Sequence, residues 1–146
     1  MKKHLEKGFS LLEILVVLVI MGILVSLVAP TVLNRVDDAR LQKAYADFKA
    51  IETALKIYHL DNFNYPSSEQ GLQALVTKPS DDPEPRNWKQ GGYLPDLPVD
   101  PWGNPYLYIY PGENGEFDIY TLGADRTAGG DGQNTDLGNW KDDSAG

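Results

Sequence analysis

The sequence predicts an α+β protein: a long N-terminal α-helix, first apolar and then amphipathic, packed on a small C-terminal antiparallel β-sheet. Three features predict it. Phe9 to Ala29 is apolar save for Glu13, and at a rise of about 1.5 Å per residue such a helix covers roughly 30 Å, the hydrocarbon thickness of a bilayer. Beyond it, Val36, Ala44, Phe48, Ile51, Leu55 and Tyr58 recur at helical spacing with charged residues between them. Further on, "NPYLYIYPGENGEFDIYTLG" holds two runs dense in aromatic and β-branched residues around Gly112-Glu113-Asn114-Gly115, which reads as a hairpin with a short turn.

The apolar run comes first along the chain. Lys2, Lys3 and Lys7 precede it and Asp37 and Asp38 follow it, so the positive-inside rule places the amino end in the cytoplasm and the head across the membrane. A cleaved secretory signal would be shorter and end in a small-x-small site. "VSLVAP" offers only a weak one, Ser26 and Val28 before Ala29, and the run reads instead as an uncleaved anchor. Pro30 removes a backbone donor and Gly22 weakens the helix, so the rod from Phe9 to about Tyr58 is expected to bend or melt locally between them.

In the head, Ser67 and Gln70 have capping-box spacing and Lys78-Pro79 supplies a stop, which predicts a short helix near Ser68 to Val76. A loop rich in Pro, Asp and Gly runs from Lys78 to Gly92. Phe117, Ile119 and Thr121 then alternate with Asp118 and Tyr120, the pattern of a half-buried strand. After Leu122 no periodicity remains, and only Leu137 and Trp140 offer something to pack.

With 146 residues the chain fits one modest head beyond the apolar run. Its 13 Lys and Arg against 21 Asp and Glu give a net charge of -8, which argues against nucleic acid as a partner. There is no cysteine, hence no disulfide framework and no thiol chemistry, and something else must brace the loops. Catalysis finds no support: the two histidines are His4 and His59, and no nucleophile elbow, phosphate loop or zinc spacing occurs. The pairs Asp81-Asp82 and Asp142-Asp143 read as solvated charge.

Two places still ask for chemistry. From Leu122 to Trp140, Asp125, Asp131, Asp136 and Asn134 gather hard oxygen donors while Gly129, Gly130 and Gly132 allow tight folding. That inventory suits calcium, with the Leu122 carbonyl and water completing the shell. It equally describes a flexible acidic loop, and it lacks the frame and closing glutamate of an EF-hand. The other place is Glu13, one turn into the apolar run. A carboxylate at mid-membrane would cost about 2.5 to 3.5 kcal/mol, less near the edge. Glu13 either snorkels to the interface or finds a partner at the chain's end or on another subunit.

"KGFSLLEILVVLVIMGIL" resembles the prepilin signal of type IV pilins and pseudopilins. The resemblance implies a leader of residues 1–8, cleavage between Gly8 and Phe9 by a prepilin peptidase that also N-methylates Phe9, and a transmembrane and assembly helix over 9–30. It puts Glu13 at the fifth mature position. "LDNFNYPSSEQGLQAL", "GGYLPDLPVDPWGNPYLY" and "FDIYTLGADRTAGGDGQNTDLGNW" resemble the major, G-type pseudopilins of type II secretion systems.

That resemblance implies a type IV pilin-like fold with a periplasmic head over 31–146, and a calcium-binding loop. It implies Asp125 and Asp136 as side-chain ligands and Leu122 as a carbonyl ligand; Asp131 and Asn134 are further candidates. The implied function is structural. Subunits leave the inner membrane, single pass with the amino end cytoplasmic, and polymerise into a periplasmic pseudopilus that helps drive folded exoproteins through the outer membrane. The implied partners are other copies of the chain, minor pseudopilins, an inner-membrane platform with a cytoplasmic ATPase, and an outer-membrane secretin. A minor pseudopilin, or a type IV pilin for adhesion, motility or DNA uptake, is the alternative, although such pilins usually carry a disulfide loop.

Overall fold

The computed structural model describes residues 8–141. The leader up to Lys7, with its lysines and His4, and the pair Asp142-Asp143 lie outside the described residues. Helix α1 spans Leu11–Asn62, 52 residues, and the chain divides into two compact units, one ending at Asp38 and the other beginning at Ala39.

In the first unit α1 opens on a reciprocal cap. Ser10 Oγ accepts from the Glu13 amide (3.2 Å) and Glu13 Oε2 accepts from the Ser10 amide (2.9 Å), which satisfies two donors that the first turn would otherwise leave bare. Helical structure then continues through Gly22 and Pro30, so the expected local melting does not occur. Proline deletes one hydrogen bond, at a cost of about 3 kcal/mol, and the regular turns on either side carry the element across the defect. The large apolar side chains from Leu11 to Val28 are all exposed, between 46% and 81%. Val36, expected on the buried stripe, is also exposed; it lies two turns before Ala44, where burial begins.

In the second unit the stripe behaves as its spacing predicts. Ala44, Phe48, Ile51, Leu55 and Tyr58 are buried, and Tyr65, Leu75, Tyr106, Tyr108, Phe117, Ile119 and Leu137 complete the core against them. Phe48 meets Tyr106 edge to face at 5.3 Å. The helix runs one turn past Tyr58. Its last residue, Asn62, is buried, donating from Nδ2 to Tyr58 O and Tyr93 Oη and accepting from the Asn87 amide.

The expected capping box at Ser67 is present: Ser67 Oγ accepts from the Gln70 amide and Gln70 Oε1 from the Ser67 amide. The expected helix is not α-helical. A turn leads to Gly71 at φ +61°, and a 3₁₀ helix follows over Leu72–Leu75. The left-handed glycine breaks continuity, and Gln70 is held elsewhere, its Nε2 donating to Asp81 O and Pro83 O. Those bonds, with Trp88 Nε1 to Ala74 O, pin the Pro-rich loop to the core.

Three antiparallel strands form the sheet in the order β1-β2-β3: β1 Leu107–Ile109, β2 Asp118–Thr121 and β3 Leu137–Gly138. Tyr108 faces Ile119 across β1 and β2, and Thr121 faces Leu137 across β2 and β3. The connection between β1 and β2 is longer than the short turn expected. Asp118 organises it, Oδ2 accepting from the Glu113 amide (2.9 Å) and from Asn114 Nδ2 (2.9 Å). Phe117, Ile119 and Thr121 are buried as the alternation predicts, yet Asp118 is buried as well, at 2% exposure, because its carboxylate turns back to serve these donors.

Candidate functional site

Two regions draw the candidate residues, and each is built differently. At the head of α1, Gly8 and Phe9 precede the helix, both exposed, with Phe9 84% accessible. A Cβ on Gly8 would meet nothing within 4 Å. Glu13 is less solitary than its surroundings imply, since Ser10 holds Oε2; among the described residues Oε1 has no partner. Sequence reasoning missed this bond, although S-x-x-E at Ser10 to Glu13 is a readable capping signature.

The loop from Leu122 to Asp136 leaves β2 and returns into β3. It closes through Ala124 N to Gln133 O (2.9 Å) and through Gly129 N to Asp136 Oδ2 (2.8 Å). Gly130, at φ +97°, passes so near Asn134 that a Cβ would fall 2.7 Å from its carbonyl oxygen. Asp125 is exposed and forms a local turn, with Oδ1 accepting from the Thr127 amide. Asp131 is exposed and precedes a 3₁₀ turn over Gly132–Asn134. Leu122 and Asn134 are half-buried.

Asp136 is the informative member. Its Oδ1 is buried with no hydrogen-bond partner, an arrangement that is costly unless something absent from the bare chain pairs with it. No group of three or more Asp, Glu, His or Cys side chains converges among the described residues, so a cation here would draw part of its shell from carbonyls and water. An orphaned carboxylate oxygen in a glycine-folded, oxygen-rich loop fits a hard cation such as Ca²⁺.

Two clasps hold the roots of this loop, and neither was read from the sequence. Asp100 is buried in "DPWGN", where Oδ1 accepts from the Trp102 and Asn104 amides while Oδ2 accepts from Thr121 Oγ1 at the end of β2. An Asp two residues before a backbone donor is an Asx-turn signal, but its reach to Thr121 is tertiary. Asn139, just past β3, accepts from the Ile119 amide and donates to Glu52 Oε1 and Phe117 O.

Burial sets the electrostatics of the head. Desolvation first, then Tyr93, pushes the Tyr58 hydroxyl up to about 12. Desolvation and then the Glu116 carboxylate, 3.1 Å from its oxygen, push Tyr65 to about 12 as well. Tyr106 and Tyr108 are also raised, chiefly by burial.

A long helix whose first half is bare apolar surface and whose second half forms the spine of a small α+β head defines a pilin-like subunit. The comparisons with known proteins specify which. A family described as type II secretion system (T2SS), protein G matches residues 31–140, and the prokaryotic N-terminal methylation motif matches residues 3–29. The chain is 55% identical to the type II secretion system core protein G of Pseudomonas aeruginosa, over 96% of this chain and 99% of that one. It is 53% identical to the core protein G of Vibrio cholerae, over 95% and 94% respectively. The crystal structure of the major pseudopilin from the type 2 secretion system of enterohaemorrhagic Escherichia coli superposes with a TM-score of 0.67 at 44% identity, covering 74% of this chain and 92% of that one.

The chain belongs to the type II secretion system protein G family. It is therefore a structural pseudopilin subunit and not an enzyme, and the family favours the major pseudopilin over the minor-pseudopilin and type IV pilin alternatives.

Proposed function

We propose that the chain polymerises through its N-terminal helix into the periplasmic pseudopilus that helps move folded exoproteins across the outer membrane. One observation carries this reading: α1 presents apolar side chains from Leu11 to Val28 that nothing in the first unit covers. Such a surface suits lipid before assembly and neighbouring helices afterwards. Residues 1–8 are the leader, 9–30 the membrane and assembly segment, and 31–146 the head. The amino end is cytoplasmic and the head periplasmic.

Cleavage between Gly8 and Phe9 by a prepilin peptidase and N-methyltransferase frees the Phe9 amine. Glu13 of a neighbour neutralises that amine in a low-dielectric bundle. Because Ser10 occupies only Oε2, cap and ion pair are compatible. A four-residue separation offsets neighbours axially by about 6 Å plus side-chain reach, which sets register.

Asp125, Asp136 and the Leu122 carbonyl hold Ca²⁺ in the terminal loop, with Asp131 and Asn134 as further donors. The ion supplies a charge cross-link where the chain has no disulfide, and its binding free energy adds to that of folding. The assembly partners are minor pseudopilins, an inner-membrane platform with a cytoplasmic ATPase, and the outer-membrane secretin. Overproduction of the full chain with its secretion system tests the reading. Electron microscopy should show long filaments, and mass spectrometry should find N-methylated Phe9 as the first residue; the absence of fibres, or an intact leader, would overturn it.

A further inference from the structure

The Asp100–Thr121 clasp reaches one bond further into the Leu122–Asp136 loop. Both residues are 2% exposed, and the Thr121 hydroxyl is engaged on two sides. It donates to Asp100 Oδ2 and accepts from the Gly123 amide at 3.3 Å. That amide shares a peptide group with the Leu122 carbonyl, and the peptide is trans. In a planar trans peptide the N–H and C=O point in opposite directions, so an amide held toward Thr121 turns the Leu122 carbonyl away from it. Asp100 is itself fixed, Oδ1 accepting from the Trp102 amide at 3.0 Å and from the Asn104 amide at 2.7 Å. A carboxylate that takes the hydroxyl proton leaves the lone pairs of that oxygen for Gly123.

Strand register brings this peptide to the orphaned carboxylate. Thr121 pairs with Leu137 across β2 and β3, and Leu122 and Asp136 each lie one residue beyond that pair, on the loop side. Asp136 Oδ1 is the buried oxygen without a partner. Gly123, at φ +69°, packs so closely on the returning limb that a Cβ would fall 2.8 Å from the carbonyl carbon of Asn134. The peptide plane is thus held from both sides, by Thr121 and by the loop's own return.

We infer that Asp100 and Thr121 are positioning residues for the proposed calcium site: through the Gly123 amide they aim the Leu122 carbonyl that the site offers to the ion. This rests on the cation reading above and gives it a supporting pair that lies outside the loop. Outer partners that orient a metal ligand contribute about ten- to a hundredfold in affinity. The coupling is reciprocal, so bound calcium should in turn steady the turn at residues 100–104, although that turn supplies no ligand.

Calorimetric titration of the detergent-solubilised full chain with calcium tests this. Thr121→Val removes the hydroxyl and little volume, and should raise the calcium Kd about tenfold or more; Thr121→Ser keeps the hydroxyl and should bind like the unaltered chain. Asp118→Ala, at the far end of β2, should lower the melting temperature without moving Kd, which separates positioning from stability. A Kd unmoved by Thr121→Val, or moved as far by Asp118→Ala, would overturn the inference and leave the calcium site standing. If Thr121→Val does not fold, the unaltered chain decides. Calcium should slow deuterium uptake at residues 100–104 as well as in the loop, and more than in the turn at residues 113–116; slowing confined to residues 122–136 would equally overturn the inference. No heat of binding and no slowing anywhere would remove the cation reading itself, and this inference with it.

Discussion

Ser10 and Glu13 bond each other reciprocally at the head of α1, hydroxyl to amide and carboxylate to amide. Glu13 can thus act as a helix cap or as an ion-pair partner, and one substitution separates the two roles. Glutamine preserves the capping box and removes the charge. Glu13→Gln and Glu13→Leu are both expected to insert in the membrane and both to lose filaments in electron micrographs. Full assembly by Glu13→Gln would show that the cap alone matters. Ser10→Ala should be milder, costing about 1 kcal/mol of helix stability.

Asp118 is a buried carboxylate whose partners are the donors of one turn. Asp118→Ala should leave those amides without their acceptor and destabilise the head by about 1 to 3 kcal/mol. Thermal unfolding followed by circular dichroism would show it as a lower melting temperature. An unchanged melt would mean that water replaces the carboxylate at no cost.

The orphaned Asp136 Oδ1 leads to a ligand-dependent melt. Chelation should lower the melting temperature of the head and added calcium should restore it, with Asp136→Ala and Asp125→Ala each abolishing the difference. Equal melts with calcium and with chelator would refute the cation site.

The buried tyrosines govern the alkaline limit. Tyr58 and Tyr65 are raised from 10.0 to about 12, so above pH 10 the folded state keeps protons that the unfolded chain releases. Their contribution is complete below pH 10 and is lost as pH climbs toward 12. The melting temperature should be insensitive to these groups at neutral pH and fall steeply over that window, and Tyr65→Phe should flatten the fall. The same slope in Tyr65→Phe would exclude that hydroxyl as a contributor.

How much of this could be read beforehand depended on the range of each interaction. The Ala44 to Tyr58 stripe was legible because helical burial repeats every three or four residues, and the β1–β2 pairing because its residue types and turn lie close in sequence. β3 was not, since two residues carry no period and only the β2 edge makes Leu137 a strand. Gln70 signals its cap three residues away but gives no sign of Asp81 and Pro83. Asp100 looks like a turn residue, and nothing nearby points to Thr121. In the loop from Leu122 to Asp136, composition drew attention to oxygen donors and glycines, whereas the unpaired burial of Asp136 Oδ1 emerged only from the folded backbone.

Trp140 lies across Gly138, where an added Cβ would fall 2.4 Å from its ring, and its ring centroid is 6.1 Å from that of Tyr120. The strand that receives the end of the Leu122–Asp136 loop is therefore roofed by an indole. Opening of that last turn should change the polarity around the indole, and with it the colour and intensity of its emission. Trp88 and Trp102 emit as well, so with both replaced by phenylalanine Trp140 becomes the one indole of the chain and reports closure of this turn in real time without an attached dye.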